Sequence, residues 1–265
     1  MRTVDFFATH PVFSLDQATH ALAPRGGRTA TVERLKHHLV TGRLVLVSRG
    51  VYAVVPPGVP TGTYTPDPML VAVTARPDAV FAYHAALELL GVAHSAWTHT
   101  TVFTTRRRAS LTIGPTQIRF FEDPLPLRAA DLRHLGTRRV ERQSHILRVT
   151  GPERTLADGL RRPALAGGLE ELFQSAGAFA SLDLELLREV LERYDTARLW
   201  AAVGWFLEQQ QRDFSVPDAY VSELELRRPA ATQYLERGQR GGRLAPRWNL
   251  VLPDVAARRG AADER

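Results

Sequence analysis

The first part of the chain places apolar residues with helical spacing between clear stop signals. The apolar cluster from Val4 to Ala8 predicts a short first helix. Ser14 followed three residues later by Gln17 is a capping box, in which each side chain bonds the backbone N–H of the other residue. This pair predicts a second helix that runs to about Leu22 and ends at Pro24.

A third helix is predicted after a turn over residues 25–28. Thr29 or Thr31 can cap it, and its pattern runs to Thr41 and stops at Gly42. The three helices therefore follow one another with short connections.

A β-hairpin is predicted directly after the third helix. Leu44 to Val47 and Val51 to Val55 are short apolar strands, separated by a turn over residues 48–50 and closed by two prolines. Three helices followed by a hairpin is the order of a winged helix-turn-helix. We therefore expect residues 1–57 to form such a domain.

The remainder of the chain is predicted to be a larger α+β domain with a helical C-terminal part. A connector rich in proline and glycine, residues 58–68, is expected to be a linker. The expected regions beyond it are an α+β domain over 69–160, a helical region over 161–253 and a frayed tail over 254–265.

Within these regions the pattern predicts a helix over Ala79 to Leu90 and then several strands. The predicted strands are Thr100 to Thr105, Gln117 to Phe121 and Ile146 to Thr150. The predicted later helices are Arg154 to Leu160, Leu169 to Ala176, Leu182 to Tyr194, Thr196 to Gln210 and Tyr220 to Glu225. We expect these later helices to form a mostly acidic outer layer.

The third helix has a narrow apolar side and a wide polar side. Val32, Leu35 and Leu39 lie close together on a helical wheel and are expected to pack inward, leaving the other side for base edges and phosphates. The expected DNA contacts in this helix, the turn before it and the hairpin are Arg25, Arg28, Thr29, Thr31, Arg34, Lys36, His37, His38, Thr41, Arg43 and Arg49. An ordinary solvated helix face is the alternative interpretation.

Charge is distributed unevenly along the chain. The formal net charge is +6, and residues 1–60 carry seven basic against three acidic residues. Residues 151–265 have a net charge of −2 instead. A basic front half is typical of a protein that binds a polyanion, although a coding bias toward arginine explains the charge equally well.

Few enzyme chemistries are compatible with this composition. The chain has no cysteine and a single lysine, Lys36, and it lacks phosphate-loop, dinucleotide-binding, zinc-protease and serine-hydrolase motifs. Glu223 and Glu225 resemble half of a nuclease site without its lysine partner, and the triple arginine 106–108 is either a phosphate-binding loop or a solvated turn. We expect no catalytic residues, no metal site and no cofactor.

Targeting signals are also lacking in the sequence. The most apolar of its uncharged stretches, Leu199 to Leu207, has nine residues, which is too short for a membrane span. Charged and helix-breaking residues interrupt the place where a signal peptide would have its apolar region. We therefore expect a cytoplasmic protein that does not bind membranes.

Several segments resemble the AbiEi-like antitoxins of type IV toxin–antitoxin systems. These segments are Arg49 to Tyr52, Tyr83 to Gly91, Thr101 to Thr104 and Val149 to Asp158, and the resemblance extends over roughly residues 4–160. It implies a winged helix that binds its own promoter as double-stranded DNA and represses the operon. It also implies a C-terminal domain that counters a nucleotidyltransferase-type toxin, by direct contact or by another route.

An operator with inverted repeats would require two copies of the protein, because one winged helix reads half of a symmetric site. Two other classes of function compete with this interpretation. One is an enzyme that acts on nucleic acid, and the other is a winged-helix module that binds a protein partner.

Overall fold

The structure of the protein, a computed structural model, describes most of the chain. The described residues are 2–22, 25–129, 131–143, 145–236, 238–254 and 256. Pro24 and nearly all of the tail predicted over 254–265 lie outside this set. Helices and strands alternate through the described residues, so the predicted α+β class is confirmed.

The first six elements are three helices and three strands. They are α1 (Thr3–Thr9), β1 (Val12–Ser14), α2 (Leu15–Leu22), α3 (Gly27–Val40), β2 (Leu44–Ser48) and β3 (Val51–Val54). The three strands form an antiparallel sheet in the order β1-β3-β2. The predicted first two helices and the hairpin are confirmed to within a few residues.

The capping box that opens α2 forms as predicted. The backbone N–H of Ser14 donates to Gln17 Oε1 at 2.7 Å, and the backbone N–H of Gln17 donates to Ser14 Oγ at 3.1 Å. These bonds satisfy two of the N–H groups that a helix end otherwise leaves without partners.

One local prediction in this region is wrong, and one strand has no counterpart among the predictions. Helix α3 begins at Gly27 rather than at a threonine cap, because Gly26 occupies the N-cap position with φ of 98°, which glycine adopts without strain. Strand β1 was not predicted at all. Its three residues pair with β3, with Val12 opposite Ala53, and only this non-local pairing makes them a strand.

An aromatic core joins these six elements. The ring centroids of Phe6 and Phe13 are 4.9 Å apart, and Phe13 stacks on Tyr52 at 5.7 Å. Leu35 of α3 and Leu44 of β2 are each 1% exposed in the same cluster. Helix α3 is therefore held against α1 and the hairpin by burial of aromatic and aliphatic surface.

The middle of the chain alternates short helices with the strands of a larger sheet. Its elements are α4 (Pro68–Ala75), β4 (Val80–Phe81), α5 (His84–Leu89), β5 (His99–Thr104), β6 (Leu111–Ile113), β7 (Thr116–Glu122), β8 (Thr137–Arg142) and β9 (His145–Thr150). The strand order in this sheet is β6-β7-β5-β4-β9-β8. The three predicted strands are confirmed, but the helix predicted from Ala79 begins only at His84, because its first residues form β4.

The C-terminal part is mainly helical. Its elements are α6 (Pro152–Arg161), α7 (Leu169–Gly177), α8 (Leu184–Tyr194), α9 (Ala197–Gln209), α10 (Asp218–Leu226), β10 (Gln233–Tyr234), β11 (Arg243–Ala245) and β12 (Leu250–Leu252). The five predicted helices are confirmed in place and approximate length. The last three strands form a small sheet in which β12 is central.

The prediction that these helices form an acidic outer layer is wrong for α6 and α9. Every residue of α6 from Pro152 to Leu160 is buried, as is every residue of α9 from Leu199 to Leu207. Arg154 is fully buried and donates to the carbonyl oxygens of Arg133 and Leu135 at 2.9 and 3.0 Å. Helices buried on all sides are typical of the centre of a larger core.

A buried ion pair within α6 contacts a tyrosine at the end of α8. Arg154 Nε lies 3.4 Å from Asp158 Oδ2, and the Tyr194 hydroxyl donates to Asp158 Oδ1. Burial raises the pKa of the Asp158 carboxyl above its ordinary value, although Arg154 and Tyr194 act in the opposite direction. The Asp158 carboxyl therefore depends on Arg154 and Tyr194 to offset the cost of its burial in the core.

The chain divides into two compact units. The first contains residues 1–80, 98–121 and 139–147, and the second contains residues 81–97, 122–138 and 148–265. Residues 58–68, predicted to be a linker, lie inside the first unit and include a short 3₁₀ helix, Thr61–Thr63. The predicted domain boundaries stay a prediction. Among the described residues, no helix has both the length and the apolar character needed to cross a bilayer.

Candidate nucleic-acid interface

Helix α3 buries one narrow side and exposes the other. Leu35 lies in the aromatic core, and Val32 and Leu39 pack against the same core. Residues three and four apart share a helix face, so the opposite side of α3 faces solvent. Arg34 and His37 are exposed on that opposite side, as the helical wheel predicts.

Three of the predicted contact residues are arginines with open guanidinium groups. Arg25, Arg34 and Arg49 are exposed, and none makes an ion pair or a side-chain hydrogen bond with another described residue. Arg49 lies in the turn between β2 and β3, beside Gly50, which has φ of 76°. These groups can bind phosphate or a base edge without first giving up a protein partner.

Two other predicted contacts are paired with nearby carboxylates. Arg28 contacts the carboxylate of Asp16, and Lys36 Nζ lies 2.6 Å from Glu33 Oε1. All four side chains are largely exposed, and exposed pairs of this kind are worth about 0–1 kcal/mol. A phosphate group can therefore compete with these carboxylates at little cost.

The N-terminal end of α3 has open backbone N–H groups. Its N-cap, Gly26, provides no side-chain hydrogen bond, and the first turn contains no acidic residue. Thr29 is exposed in that turn. The partial positive charge of the helix dipole is therefore left for an external acceptor, which suits a DNA phosphate.

The two other threonines of the predicted set use their hydroxyl groups within the helix. Thr31 is fully buried, and its Oγ1 donates to the carbonyl oxygen of Gly27 at 3.0 Å. Thr31 lies four residues before Leu35 and thus shares its inward side, so it offers no group to a DNA duplex and the prediction that it does is corrected. Thr41 is exposed, with its Oγ1 donating to the carbonyl oxygen of His37 at 3.0 Å.

His38 and Arg43 both lie beside the ring of Phe7. The His38 ring meets the Phe7 ring edge-on at 5.0 Å, and the Arg43 guanidinium carbon is 6.0 Å from the Phe7 centroid. Burial lowers the pKa of His38, and the positive charges of Arg43, His37 and Arg34 lower it further. In the free protein these effects favour the neutral form of His38, which can still offer a hydrogen bond to DNA.

Other residues singled out in the sequence occupy simpler environments. The arginines over 106–108 lie in an exposed loop, and the carbonyl oxygen of Arg106 accepts a hydrogen bond from Thr104 Oγ1 at 2.7 Å. Glu225 is held by Arg228 and Arg247, each at 2.8 Å. Within the described part of the chain, no three histidine or acidic side chains are grouped so that they could hold a metal ion.

A buried histidine and carboxylate in the second unit were missed by the sequence reasoning. His84 Nε2 lies 3.4 Å from Glu171 Oε1, and the two side chains are 2% and 6% exposed. The His84 ring also stacks on Trp97 with 5.6 Å between centroids. His84 and Glu171 are 87 positions apart, so no local spacing could have indicated their contact.

The Glu171 carboxylate is surrounded by hydrogen-bond donors. It accepts bonds from the hydroxyls of Ser95 at 2.5 Å and Ser175 at 2.8 Å, and from the backbone N–H of His94 at 2.9 Å. Burial alone would raise the pKa of this carboxyl, but the hydrogen bonds from Ser95, Ser175 and His94 together lower it below its ordinary value. These donors keep Glu171 charged inside the unit.

Comparison with known proteins identifies a fold relative and no family. No family model matches this chain, and no curated protein matches it. The chain is similar in structure to the RV2827C protein from Mycobacterium tuberculosis, whose crystal structure aligns with a TM-score of 0.65 and 18% identity. The alignment covers 100% of this chain and 94% of the mycobacterial one, and at this identity it shows a shared fold.

The pKa of Glu171 predicts how acid affects stability. Because the folded-state pKa is lower than that of an unfolded glutamate, the carboxylate stabilises the fold above the ordinary pKa of about 4.3. This contribution is lost as the pH falls through the lower folded-state value. We expect Glu171→Gln to be less stable than the parent protein at pH 7, and to lose less stability than the parent between pH 5 and pH 3.

Urea unfolding followed by circular dichroism at several pH values measures this difference. Glu170→Gln is the matched control, since the neighbouring Glu170 is exposed and its loss should leave the parent profile unchanged. Parallel pH profiles for Glu171→Gln and the parent protein would contradict the assigned role of the hydrogen bonds.

Proposed function

We propose that this protein is a DNA-binding transcriptional regulator of antitoxin type, and that residues 1–57 form its winged helix-turn-helix. In this proposal α2 and α3 are the helix-turn-helix pair, α3 is the helix that enters the major groove, and β2 and β3 form the wing. The protein would act by binding, without a catalytic step or a cofactor.

The order of the elements supports the winged-helix assignment. Helix, strand, helix, helix and a β-hairpin follow one another, and the lone strand β1 pairs with the second strand of the hairpin. This pairing ties the hairpin to the segment between α1 and α2, and the shared core of Leu35 and Leu44 packs α3 against the hairpin. A wing next to an exposed helix is what a duplex with adjacent grooves requires.

Arg34 and Arg49 are exposed and neither pairs with another described residue, and this observation carries the DNA-binding proposal. One lies on the outward side of α3 and the other lies at the tip of the hairpin. Arginine is the side chain that most often reads guanine, and it also binds phosphate well. The positive charge of residues 1–60 adds a sequence-independent attraction to the duplex.

The antitoxin part of the proposal rests on the sequence resemblance to AbiEi-like proteins. In that picture the winged helix represses the protein's own operon, and residues beyond it counter a nucleotidyltransferase-type toxin. Two copies of the chain would occupy an operator with inverted repeats, since each copy supplies one reading helix.

Removal of either open arginine should weaken binding to the promoter. For Arg34→Ala and Arg49→Ala we expect a loss of about 1–3 kcal/mol each, as for other base or groove contacts. Fluorescence anisotropy with a labelled duplex from the region upstream of the gene measures the dissociation constants. The measurement is repeated over a range of salt concentrations, and the affinity of the parent protein should fall as salt rises.

Arg212→Ala is the matched control for these two variants. Arg212 is also an exposed arginine but belongs to the second compact unit, so its loss changes the net charge equally and should leave the affinity unchanged. Parent-like affinity for both Arg34→Ala and Arg49→Ala would remove the proposed interface.

The antitoxin activity is tested through the neighbouring gene. We expect an adjacent reading frame for a nucleotidyltransferase-like protein that arrests growth when it is expressed alone. Co-expression of this chain should restore growth, and the double variant Arg34→Ala/Arg49→Ala should restore it too, because neutralisation is assigned to residues beyond the winged helix. Growth arrest that persists beside the parent chain would contradict the antitoxin assignment.

A further inference from the structure

A cavity of about 1170 Å³ lies within the first compact unit, beside the base of the hairpin. Its walls come from α1, the turn between α3 and β2, the end of β3 and the segment after it, the connector before α4, the turn between β6 and β7, and the end of β8. The volume slightly exceeds the range of about 300–1,000 Å³ that is usual for small-molecule sites. Of the residues expected to contact DNA, Arg43 is the one that lines this cavity.

The walls are mostly apolar and contain two aromatic rings. Phe7 and Tyr64 line the cavity together with Val55, Pro57 and Val59. Proline and aromatic side chains lose little conformational entropy when a ligand binds, since they are already rigid. This lining favours a flat apolar ligand.

Three charged side chains, Arg43, Asp67 and Arg142, line the walls, and two of them neutralise each other. Arg142 Nε lies 2.6 Å from Asp67 Oδ2, while Asp67 Oδ1 accepts the backbone N–H of Met69 at 2.8 Å. Both oxygens of Asp67 are therefore engaged, and Arg142 has its counter-charge within the protein. This pair adds no net charge to the cavity.

Arg43 is the positive charge that remains. Its guanidinium group is exposed, lies over the Phe7 ring, and makes no ion pair with any residue that the structure describes. A cation beside apolar walls is a site for an anion, because a charge-assisted hydrogen bond is strong where water is partly excluded.

Tyr64 adds a hydrogen-bond donor to the same walls. Burial raises the pKa of its hydroxyl, and the negative charge of Asp67 raises it further. The hydroxyl thus stays protonated at physiological pH and can donate to an anion.

We propose that this cavity binds a small aromatic carboxylate, with the carboxylate on Arg43 and the ring against the apolar walls. The charge of Arg43 selects an anion over a neutral molecule of the same shape, and the lining selects an aromatic body over a simple inorganic ion.

Titration calorimetry of the full-length protein with 1-naphthoate tests the proposal, and 1-naphthamide serves as the neutral ligand of similar shape. We expect 1-naphthoate to bind and to raise the thermal unfolding temperature, and the amide to bind about tenfold more weakly, which corresponds to about 1.4 kcal/mol. In Arg43→Gln the two ligands should bind with equal affinity, because the discriminating charge is gone.

Two further variants locate the site. Val59→Glu places a negative charge on the wall at a residue that is 38% exposed, and it should weaken 1-naphthoate binding by about tenfold. Ile146→Glu makes the same kind of change at an exposed residue of the first unit that does not line the cavity, and it should leave binding unchanged. Thermal unfolding without ligand checks that each variant is folded.

The proposal is overturned if 1-naphthoate does not bind at millimolar concentration, or if the parent protein binds the amide equally well. It is also overturned if Arg43→Gln still prefers the carboxylate, or if Val59→Glu binds 1-naphthoate as the parent protein does. The titration contains no DNA, so its result is independent of the test of the proposed function.

Discussion

Burial of the inner side of α3 against a cluster of aromatic rings is the interaction on which the proposed interface depends. Leu35 packs into the core that contains Phe6, Phe13 and Tyr52, and these rings come from α1, β1 and β3. Each element alone is too short to be stable in water, so the shared apolar surface is what orders them. Once Leu35 is buried, Arg34 and His37 lie on the opposite side of α3 and stay exposed to solvent.

The same constraint explains which sequence predictions succeed. The capping box of Ser14 and Gln17 is a local signal, since both partners and the helix that they open lie within a few residues. Two short strands that depend on distant partners are not predicted. Strand β1 exists because it pairs with β3, and β4 interrupts a helical pattern because strand pairing outweighs weak local helix propensity.

Burial was harder to predict than secondary structure. Helix α6 contains Arg154 and Asp158, and charged residues usually indicate a solvated face. In the structure these two side chains form an ion pair inside the core, where Tyr194 also bonds Asp158 and a backbone carbonyl group accepts a hydrogen bond from Arg154. Thr31 was predicted to face DNA for a related reason: a polar side chain was read as exposed, although its hydroxyl bonds the helix backbone. The contact of His84 with Glu171 depends on tertiary structure alone.

Locating the DNA-contacting residues of the full-length protein in solution tests the proposed interface most directly. The measurement is a titration of the ¹⁵N-labelled chain with a promoter duplex, followed by amide chemical-shift changes. We expect the largest changes over residues 27–40 of α3, over residues 41–43 directly after it, and over residues 48–50 of the hairpin turn. Changes confined to the second compact unit, or no saturable change at all, would contradict the proposed interface.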